Sequence, residues 1–251
     1  MLQTDFGDEL YLGALQQGRE DVLYPQAIAE LIRIQCTDPD ILPRYDSAML
    51  LREMKLFEEW FVQQLLQLQL STQQQSAMGE VYHLLERSAL EQPQVTVHRD
   101  YHSRNLLVLA GERPGVIDFQ GAMRGGVGYD LVSLLKDCYI AWPKSRVDHW
   151  CEVYLASAQA QGVLAEQVTL PMFKRWFDLM GAQRHLKVLG IFSRLSIRDG
   201  KSAYLADIPL VLDYLLAVAK EYSELAALVE LIDTTIKPAM RASQYFKGVS
   251  I

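Results

Sequence analysis

The strand-forming signals of this chain are confined to three short runs in the middle of the sequence, whereas apolar residues elsewhere recur mostly at helical spacing. The β-prone runs are Val95–His98, Leu106–Leu109 and Gly115–Asp118. The turn-forming sequence AGERPG separates the last two runs and predicts a hairpin. We therefore expect a mainly α fold (α+β), in which a helical domain carries a small β insert.

Apolar residues spaced three or four apart predict the helices. Asp8 and Ser47 precede two of these stretches as N-caps. The glutamine-rich segment STQQQS is predicted as a polar joint, and RGGVG at Arg124–Gly128 as a loop that leads into the next helix. The predicted helices are Asp8–Gln17, Asp21–Cys36, a long stretch from Ser47, Met78–Leu90, Tyr129–Tyr139, Lys144–Gln161, Thr169–Gly190, Ala203–Tyr222 and Ser223–Asp233.

Composition argues against several classes of function. The 251 residues are 50% hydrophobic and carry a net charge of -7, so the chain lacks the basic character of a general nucleic-acid-binding protein. Its three cysteines are scattered, which predicts reduced thiols in a cytoplasmic protein. We find neither a signal peptide nor an uninterrupted apolar run long enough to cross a membrane, and we expect no membrane partner.

A dense polar motif, HRDYHSRN at His98–Asn105, follows the first β-prone run. Asp100 and Asn105 are five positions apart, and Asp118 follows the predicted hairpin. Kinase catalytic loops have the same spacing, H-R-D-x-x-x-x-N and then a metal-binding aspartate. Asp–Asn pairs at this spacing also cap turns, but the histidine, the flanking strands and Asp118 together favour the catalytic interpretation.

The spacing suits phosphoryl transfer. Asp100 would accept a hydrogen bond from the acceptor hydroxyl and position it in line with the phosphate. Asn105 and Asp118 would supply the hard oxygen ligands that Mg²⁺ prefers. The hairpin between the two segments would bring these oxygens to one end of the β insert.

The sequence VHRDYHSRNLLVL…GVIDFQGAMRGGVGYDLVSLLKDCY resembles the aminoglycoside-phosphotransferase-like branch of the protein-kinase-like superfamily. The segments GAQRHLKVLGIFSRL, YLADIP and TDFGDELYL are more narrowly similar to bacterial kinases of N-acetylmuramate and N-acetylglucosamine in cell-wall recycling. The resemblance implies a helical C-terminal lobe that uses ATP and Mg²⁺ to phosphorylate the anomeric hydroxyl of an amino sugar. It also implies Asp100 as the catalytic aspartate, Asn105 and Asp118 as metal ligands, and His98 as a brace.

The resemblance further implies an N-terminal β-rich lobe ahead of a hinge. This sequence opens on residues that resemble the hinge itself, so we expect a truncated chain: a hinge remnant at residues 1–7 and a helical lobe at 8–251. Gln3, Thr4 and Asp5 would contact ATP. We expect little or no kinase activity from this chain alone, and an exposed apolar face that favours self-association.

Other residues are candidates for acceptor contacts. A basic group of Arg184, His185, Lys187 and Arg194 could face a substrate carboxylate, although a solvated helix face with ion pairs is the favoured interpretation. Trp60 could stack on a sugar, although a core position is favoured. The candidate acceptor contacts are His102, Arg104, Gln120, Arg124, Glu58, Trp60 and Arg184.

Two alternatives remain beside the amino-sugar kinase. The acceptor could be an aminoglycoside, choline or homoserine, although arginines near the motif argue against a polycationic acceptor. The chain could also be a kinase-like module that binds without catalysis. A eukaryotic-type protein kinase is disfavoured because Asp118 is followed by Phe-Gln, and no A-P-E segment follows.

Overall fold

The computed structural model describes residues 5–111 and 113–248, which form two compact units. The first unit comprises the described residues up to Tyr45 together with Leu90–Phe177, and the second comprises Asp46–Ala89 and the residues from Asp178 onward. Helices predominate, so the expected mainly α fold is confirmed. The helices are α1 (Tyr11–Leu15), α2 (Glu20–Gln35), α3 (Ser47–Leu56), α4 (Thr72–Glu91), α5 (Tyr129–Leu135), α6 (Lys144–Ala160), α7 (Leu170–Asp199), α8 (Ile208–Glu221), α9 (Ala226–Leu231) and α10 (Lys237–Ala242).

The first unit also contains four short strands in two antiparallel pairs. The predicted hairpin is present, because β2 pairs with β3. The segment predicted as a glycine-rich loop forms a strand, β4, which pairs with β1. The strands are β1 (Gln94–Val97), β2 (Leu106–Leu107), β3 (Gly115–Val116) and β4 (Met123–Gly126).

Packing against the Val97 side chain explains why β4 has a glycine at position 125. A Cβ atom at Gly125 would lie 2.9 Å from Cγ2 of Val97 on β1, so a larger residue would push the strands apart. The opposite edge of β4 is also paired, since Arg124 donates to the Pro43 carbonyl at 2.9 Å and Tyr45 donates to the Arg124 carbonyl at 2.8 Å. The loop prediction was wrong because these tertiary contacts override the low strand propensity of glycine.

The strand pairing fixes the position of both polar motifs. Val97 pairs with Met123, and Leu106 pairs with Val116. The connection from β1 to β2 therefore starts beside the end of the connection from β3 to β4, and it ends beside the start of that connection. The first connection carries Asp100 and Asn105, and the second carries Asp118.

Helix α1 begins at Tyr11, later than the predicted start, and it has no side-chain N-cap. The preceding residues are paired with the hairpin instead: Leu10 forms an isolated bridge with Leu107, and Val108 donates to the Glu9 carbonyl at 2.8 Å. Because these residues are extended, Asp8 cannot cap the helix as predicted.

The second unit departs from the predicted helices at the cap of α3, after α3 and at the start of α4. Asp46 caps α3 by accepting from the Met49 N–H at 2.9 Å, in the role predicted for Ser47. After α3 the chain continues as a π-helical segment, Phe57–Leu65. The predicted glutamine-rich joint is the start of α4, because Ser71 and Gln74 form a reciprocal capping box with bonds of 2.9 and 3.2 Å.

One stretch of the described chain, Ser202–Glu221, is long and apolar enough by length and composition to cross a membrane, contrary to our expectation. It includes α8, and 44% of its most apolar window is buried within the protein. A core helix meets the same criteria, so this is weak evidence for membrane insertion. The helix is amphipathic, with Val211, Leu212 and Leu215 buried and Asp213 exposed.

Candidate active site

The loop between β1 and β2, residues 98–105, lies beside the segment between β3 and β4. The Ile117 N–H donates to the Asn105 carbonyl at 3.1 Å, which places Asp118 one residue from that contact. The side-chain amide of Asn105 donates to the Asp100 carbonyl at 2.9 Å. Asn105 is therefore hydrogen-bonded both to Asp100 and to Ile117, the residue before Asp118.

Two residues of these segments adopt left-handed backbone conformations. Asp118 has a φ of 67° and a ψ of 40°, and Arg99 has a φ of 76°. Non-glycine residues rarely adopt this conformation, and such strain clusters at functional sites. At Asp118 the conformation marks the point where the chain leaves β3 and enters the short 3₁₀ turn Phe119–Gly121.

The oxygens of Asn105 and Asp118 fit a hard divalent cation. The amide nitrogen of Asn105 is used by the loop backbone, which leaves its carbonyl oxygen as the ligand end. Within residues 5–111 and 113–248, no group of three His, Cys, Asp or Glu side chains could hold a metal. Mg²⁺ in phosphotransferases is bound by one or two protein carboxylates together with substrate phosphates, so a two-residue set is sufficient.

Asp130 on α5 holds the start of the catalytic loop. Its carboxylate is fully buried and accepts from the N–H groups of His98 at 2.6 Å and Arg99 at 2.9 Å. Hydrogen bonds to a buried carboxylate are stronger than those between neutral groups. This contact fixes the loop at the residue with the strained φ.

Asp137, just beyond the end of α5, holds the later part of the same loop. It is buried and accepts from the Ser103 N–H at 2.9 Å and from the Tyr139 N–H at 3.2 Å. Asp130 and Asp137 were not among the predicted site residues. Their seven-residue spacing places both on one face of the predicted helix Tyr129–Tyr139, but it does not indicate which residues they contact.

Two aromatic side chains of the loop point inward. His98 is buried, and its Nδ1 accepts from the Asp100 N–H at 3.3 Å, which fits the predicted brace. The Tyr101 hydroxyl donates to the Ala27 carbonyl on α2 at 2.8 Å. Burial raises the pKa of Tyr101 well above its ordinary value, so the phenol remains a protonated donor.

His102 and Arg104 lie on the outer side of the loop, next to Tyr139. The Arg104 guanidinium lies over the Tyr139 ring at 3.5 Å from its centroid, and the His102 ring meets the Tyr139 ring edge-on at 5.6 Å. Arg104 is exposed, and Tyr139 is half-buried. The structure thus places both predicted acceptor contacts on one aromatic support.

The remaining candidates of the first unit have identifiable partners. Gln120 donates to the Asp118 carboxylate at 2.7 Å, and Arg124 forms an ion pair with Asp40. Phe119 beside them is 68% exposed. The expected self-association through exposed apolar surface stays a prediction.

The predicted ATP contacts near the N-terminus fall partly outside the described residues, where Gln3 and Thr4 lie. Asp5 is exposed, and its carboxylate accepts from the Gly7 N–H at 2.9 Å. The segment that follows reaches the catalytic loop, since the Leu12 N–H donates to the Ser103 carbonyl at 3.1 Å.

Glu58, Trp60 and Arg184 belong to the second unit. Trp60 is half-buried, so the favoured core position was wrong. The favoured solvated face was also wrong, because Arg184, His185 and Lys187 are buried and Arg194 is half-buried. Lys187 forms an ion pair with Glu53 at 3.0 Å. Glu58 interacts with Tyr82, whose pKa is raised by burial and, to a smaller extent, by the Glu58 carboxylate.

Comparisons with known proteins identify the family of this chain. Residues 2–167 match the model of the phosphotransferase enzyme family (APH). Over 233 residues the chain is 44% identical to N-acetylmuramate/N-acetylglucosamine kinase of Pseudomonas putida and 42% identical to that of Pseudomonas aeruginosa. Each match covers 92% of this chain and 68% of the relative.

The fold is also similar to that of a solved small-molecule kinase. The structure of a Plasmodium vivax ethanolamine kinase matches with a TM-score of 0.59 at 14% identity, covering 86% of this chain and 63% of that chain. At this identity the likeness concerns the fold alone. The family match and the two bacterial relatives together show that the chain belongs to the phosphotransferase enzyme family (APH).

Proposed function

We propose that this chain carries the catalytic and metal-binding residues of a kinase that transfers the γ-phosphoryl group of ATP to the anomeric hydroxyl of an amino sugar, N-acetylmuramate or N-acetylglucosamine. The observation that carries the chemistry is the pair of contacts joining Asn105 to Ile117 at 3.1 Å and to Asp100 at 2.9 Å. The choice of acceptor is supported by the names of the relatives at 42–44% identity. We also propose that the reaction is cytoplasmic, where ATP is available.

Asp100 is the group that positions the acceptor. Its side chain is exposed, while its backbone is fixed by bonds from His102 and to His98. The acceptor oxygen forms a bond to the γ-phosphorus, the bond to the bridging oxygen breaks, and ADP leaves with the electron pair. The hydroxyl proton passes to Asp100. Because an anomeric hydroxyl is more acidic than an ordinary alcohol, a carboxylate is a sufficient acceptor.

Asn105 and Asp118 would hold Mg²⁺ by the amide and carboxylate oxygens described above. When bound, the ion would neutralise charge on the nucleotide phosphates. Asp130 and Asp137 keep these oxygens in place by fixing the loop from two points of its backbone.

The test combines turnover with equilibrium binding. The purified chain is incubated at high concentration and for long times with Mg²⁺, ATP and each sugar, because we expect little turnover from this chain alone, and phosphorus NMR identifies a phosphate coupled to the anomeric proton. Calorimetry with a non-hydrolysable ATP analogue and each sugar reports binding independently of turnover. A phosphate on another carbon, or turnover of choline or an aminoglycoside but neither sugar, would contradict the proposal.

Asp100→Asn supplies the matched control. The replacement preserves size and removes the carboxylate, so turnover should fall at least about a hundredfold. The midpoint of urea unfolding should not change, since Asp100 is exposed. Undiminished turnover would mean that another residue accepts the proton.

A further inference from the structure

Arg104 is the exposed arginine of the loop that carries Asp100 and Asn105. Within the described part of the chain it forms no salt bridge. Its guanidinium lies over the Tyr139 ring, 3.5 Å from the ring centroid. A cation without a protein carboxylate, next to a reacting centre, is suited to an anion that arrives with a substrate.

The Tyr139 ring holds the guanidinium in a defined orientation. Stacking on an aromatic face leaves the N–H donors of arginine in the plane of the group, directed outward. Tyr139 is itself tied to the loop, because its N–H and the Ser103 N–H share the Asp137 carboxylate. The His102 ring also packs edge-on against the Tyr139 ring, with 5.6 Å between the ring centroids. Arg104 therefore loses little conformational freedom when it binds an anion.

We propose that Arg104, held on Tyr139, recognises a carboxylate on the acceptor and so favours N-acetylmuramate over N-acetylglucosamine. This inference rests on the function proposed above. The two sugars differ by a lactyl ether, which carries the carboxylate of N-acetylmuramate. The guanidinium and carboxylate form two parallel hydrogen bonds when they meet in one plane.

The two other arginines among the candidate acceptor contacts are less suited to this role. Arg184 in the second unit is buried, and Arg124 is paired with Asp40. The nucleotide phosphates are a second source of negative charge, but they would be compensated by the ion at Asn105 and Asp118.

The experiment measures the dissociation constant of each sugar by calorimetry, in the presence of Mg²⁺ and a non-hydrolysable ATP analogue. Arg104→Leu should raise the dissociation constant of N-acetylmuramate on the order of tenfold, and it should change that of N-acetylglucosamine by less than about twofold. Tyr139→Phe, which keeps the ring, should retain the preference, and Tyr139→Leu should reduce it. Arg33→Leu removes an exposed guanidinium of α2 and is the matched control.

The outcomes separate this inference from the proposed function. Equal weakening of both sugars by Arg104→Leu, or no weakening, would overturn the role of Arg104 and leave the proposed function standing. Weaker binding of the ATP analogue alone would also overturn it and assign Arg104 to the phosphates. Failure of the wild-type chain to bind either sugar would overturn both proposals. Since Arg104 is exposed, an unchanged unfolding midpoint verifies that each variant is folded.

Discussion

The carboxylate of Asp130 accepts a hydrogen bond from the backbone N–H of His98 at 2.6 Å, which ties helix α5 to the first residue of the catalytic loop. The second carboxylate oxygen accepts from the next N–H, that of Arg99, at 2.9 Å. Arg99 has a left-handed φ of 76°, so the carboxylate holds the loop at its strained point. The position of Asp100 depends on this contact.

Asp130→Asn should destabilise the first unit by about 1.5–3 kcal/mol. An asparagine has one acceptor oxygen, so its NH₂ group would face one of the two backbone donors in a buried site. Urea unfolding measures the change, with the exposed Asp8→Asn as the matched control. Turnover should fall as well, because the loop is released. A variant as stable as the control would show that the two backbone bonds contribute nothing.

The left-handed conformation of Asp118 gives a second prediction. Asparagine tolerates this conformation, so Asp118→Asn should leave stability unchanged within about 0.5 kcal/mol and still weaken Mg²⁺ binding. Asp118→Ala should lose Mg²⁺ binding and also about 1 kcal/mol of stability, since alanine is strained there. Calorimetry with the ATP analogue and urea unfolding measure the two effects. Equal stability of the two variants would refute the strain argument.

The juxtaposition of Asp100, Asn105 and Asp118 could be predicted because its signal is local, while their catalytic roles remain a prediction. The five-residue spacing of Asp100 and Asn105, and the hairpin before Asp118, are encoded in one continuous segment. Their positions follow from strand pairing that the short β-prone runs already suggested. Asp130 was missed because its role depends on contacts with residues 31 and 32 positions away, which no local pattern specifies.

The remaining errors have the same physical origin. Gly125 lies in a strand that pairs with β1, where a Cβ atom at this position would lie 2.9 Å from Cγ2 of Val97. Arg184, His185 and Lys187 were assigned to solvent because charged residues are rarely buried, yet the ion pair of Lys187 with Glu53 makes burial tolerable there. In each case packing between distant segments overrides the local preference.

The Glu30 carboxylate on α2 predicts how stability depends on pH. The bidentate hydrogen bonds from Arg113, both 2.9 Å, hold the pKa of Glu30 below its ordinary value of 4.5. The ionised form is therefore favoured in the folded state. Its stabilising contribution is complete above the unfolded pKa and is lost as the pH falls through the lower, folded pKa.

Glu30→Gln should accordingly be less stable than wild type at neutral pH, and the difference should shrink as the pH falls below about 4.5. Urea midpoints measured between about pH 7 and pH 3 test this expectation. Arg113→Gln removes the largest cause of the lowered Glu30 pKa, so it should reproduce most of the pH-dependent loss of stability. A difference that is the same at every pH would exclude this carboxylate as the source.

Two helical glycines of the second unit predict opposite responses to the same substitution. A Cβ at Gly190 on α7 would lie 2.3 Å from the backbone carbon of Leu56, at the end of α3, so the two helices meet at this glycine. Gly190→Ala must move one of the backbones and should cost about 1–3 kcal/mol. At Gly79 on α4 nothing lies within 4 Å of the added atom. Gly79→Ala should instead stabilise the unit by about 0.4–1 kcal/mol, because alanine reduces the freedom of the unfolded chain. Urea unfolding of the two variants under identical conditions measures the difference, and the same sign of change in both would contradict the close approach of α7 to Leu56.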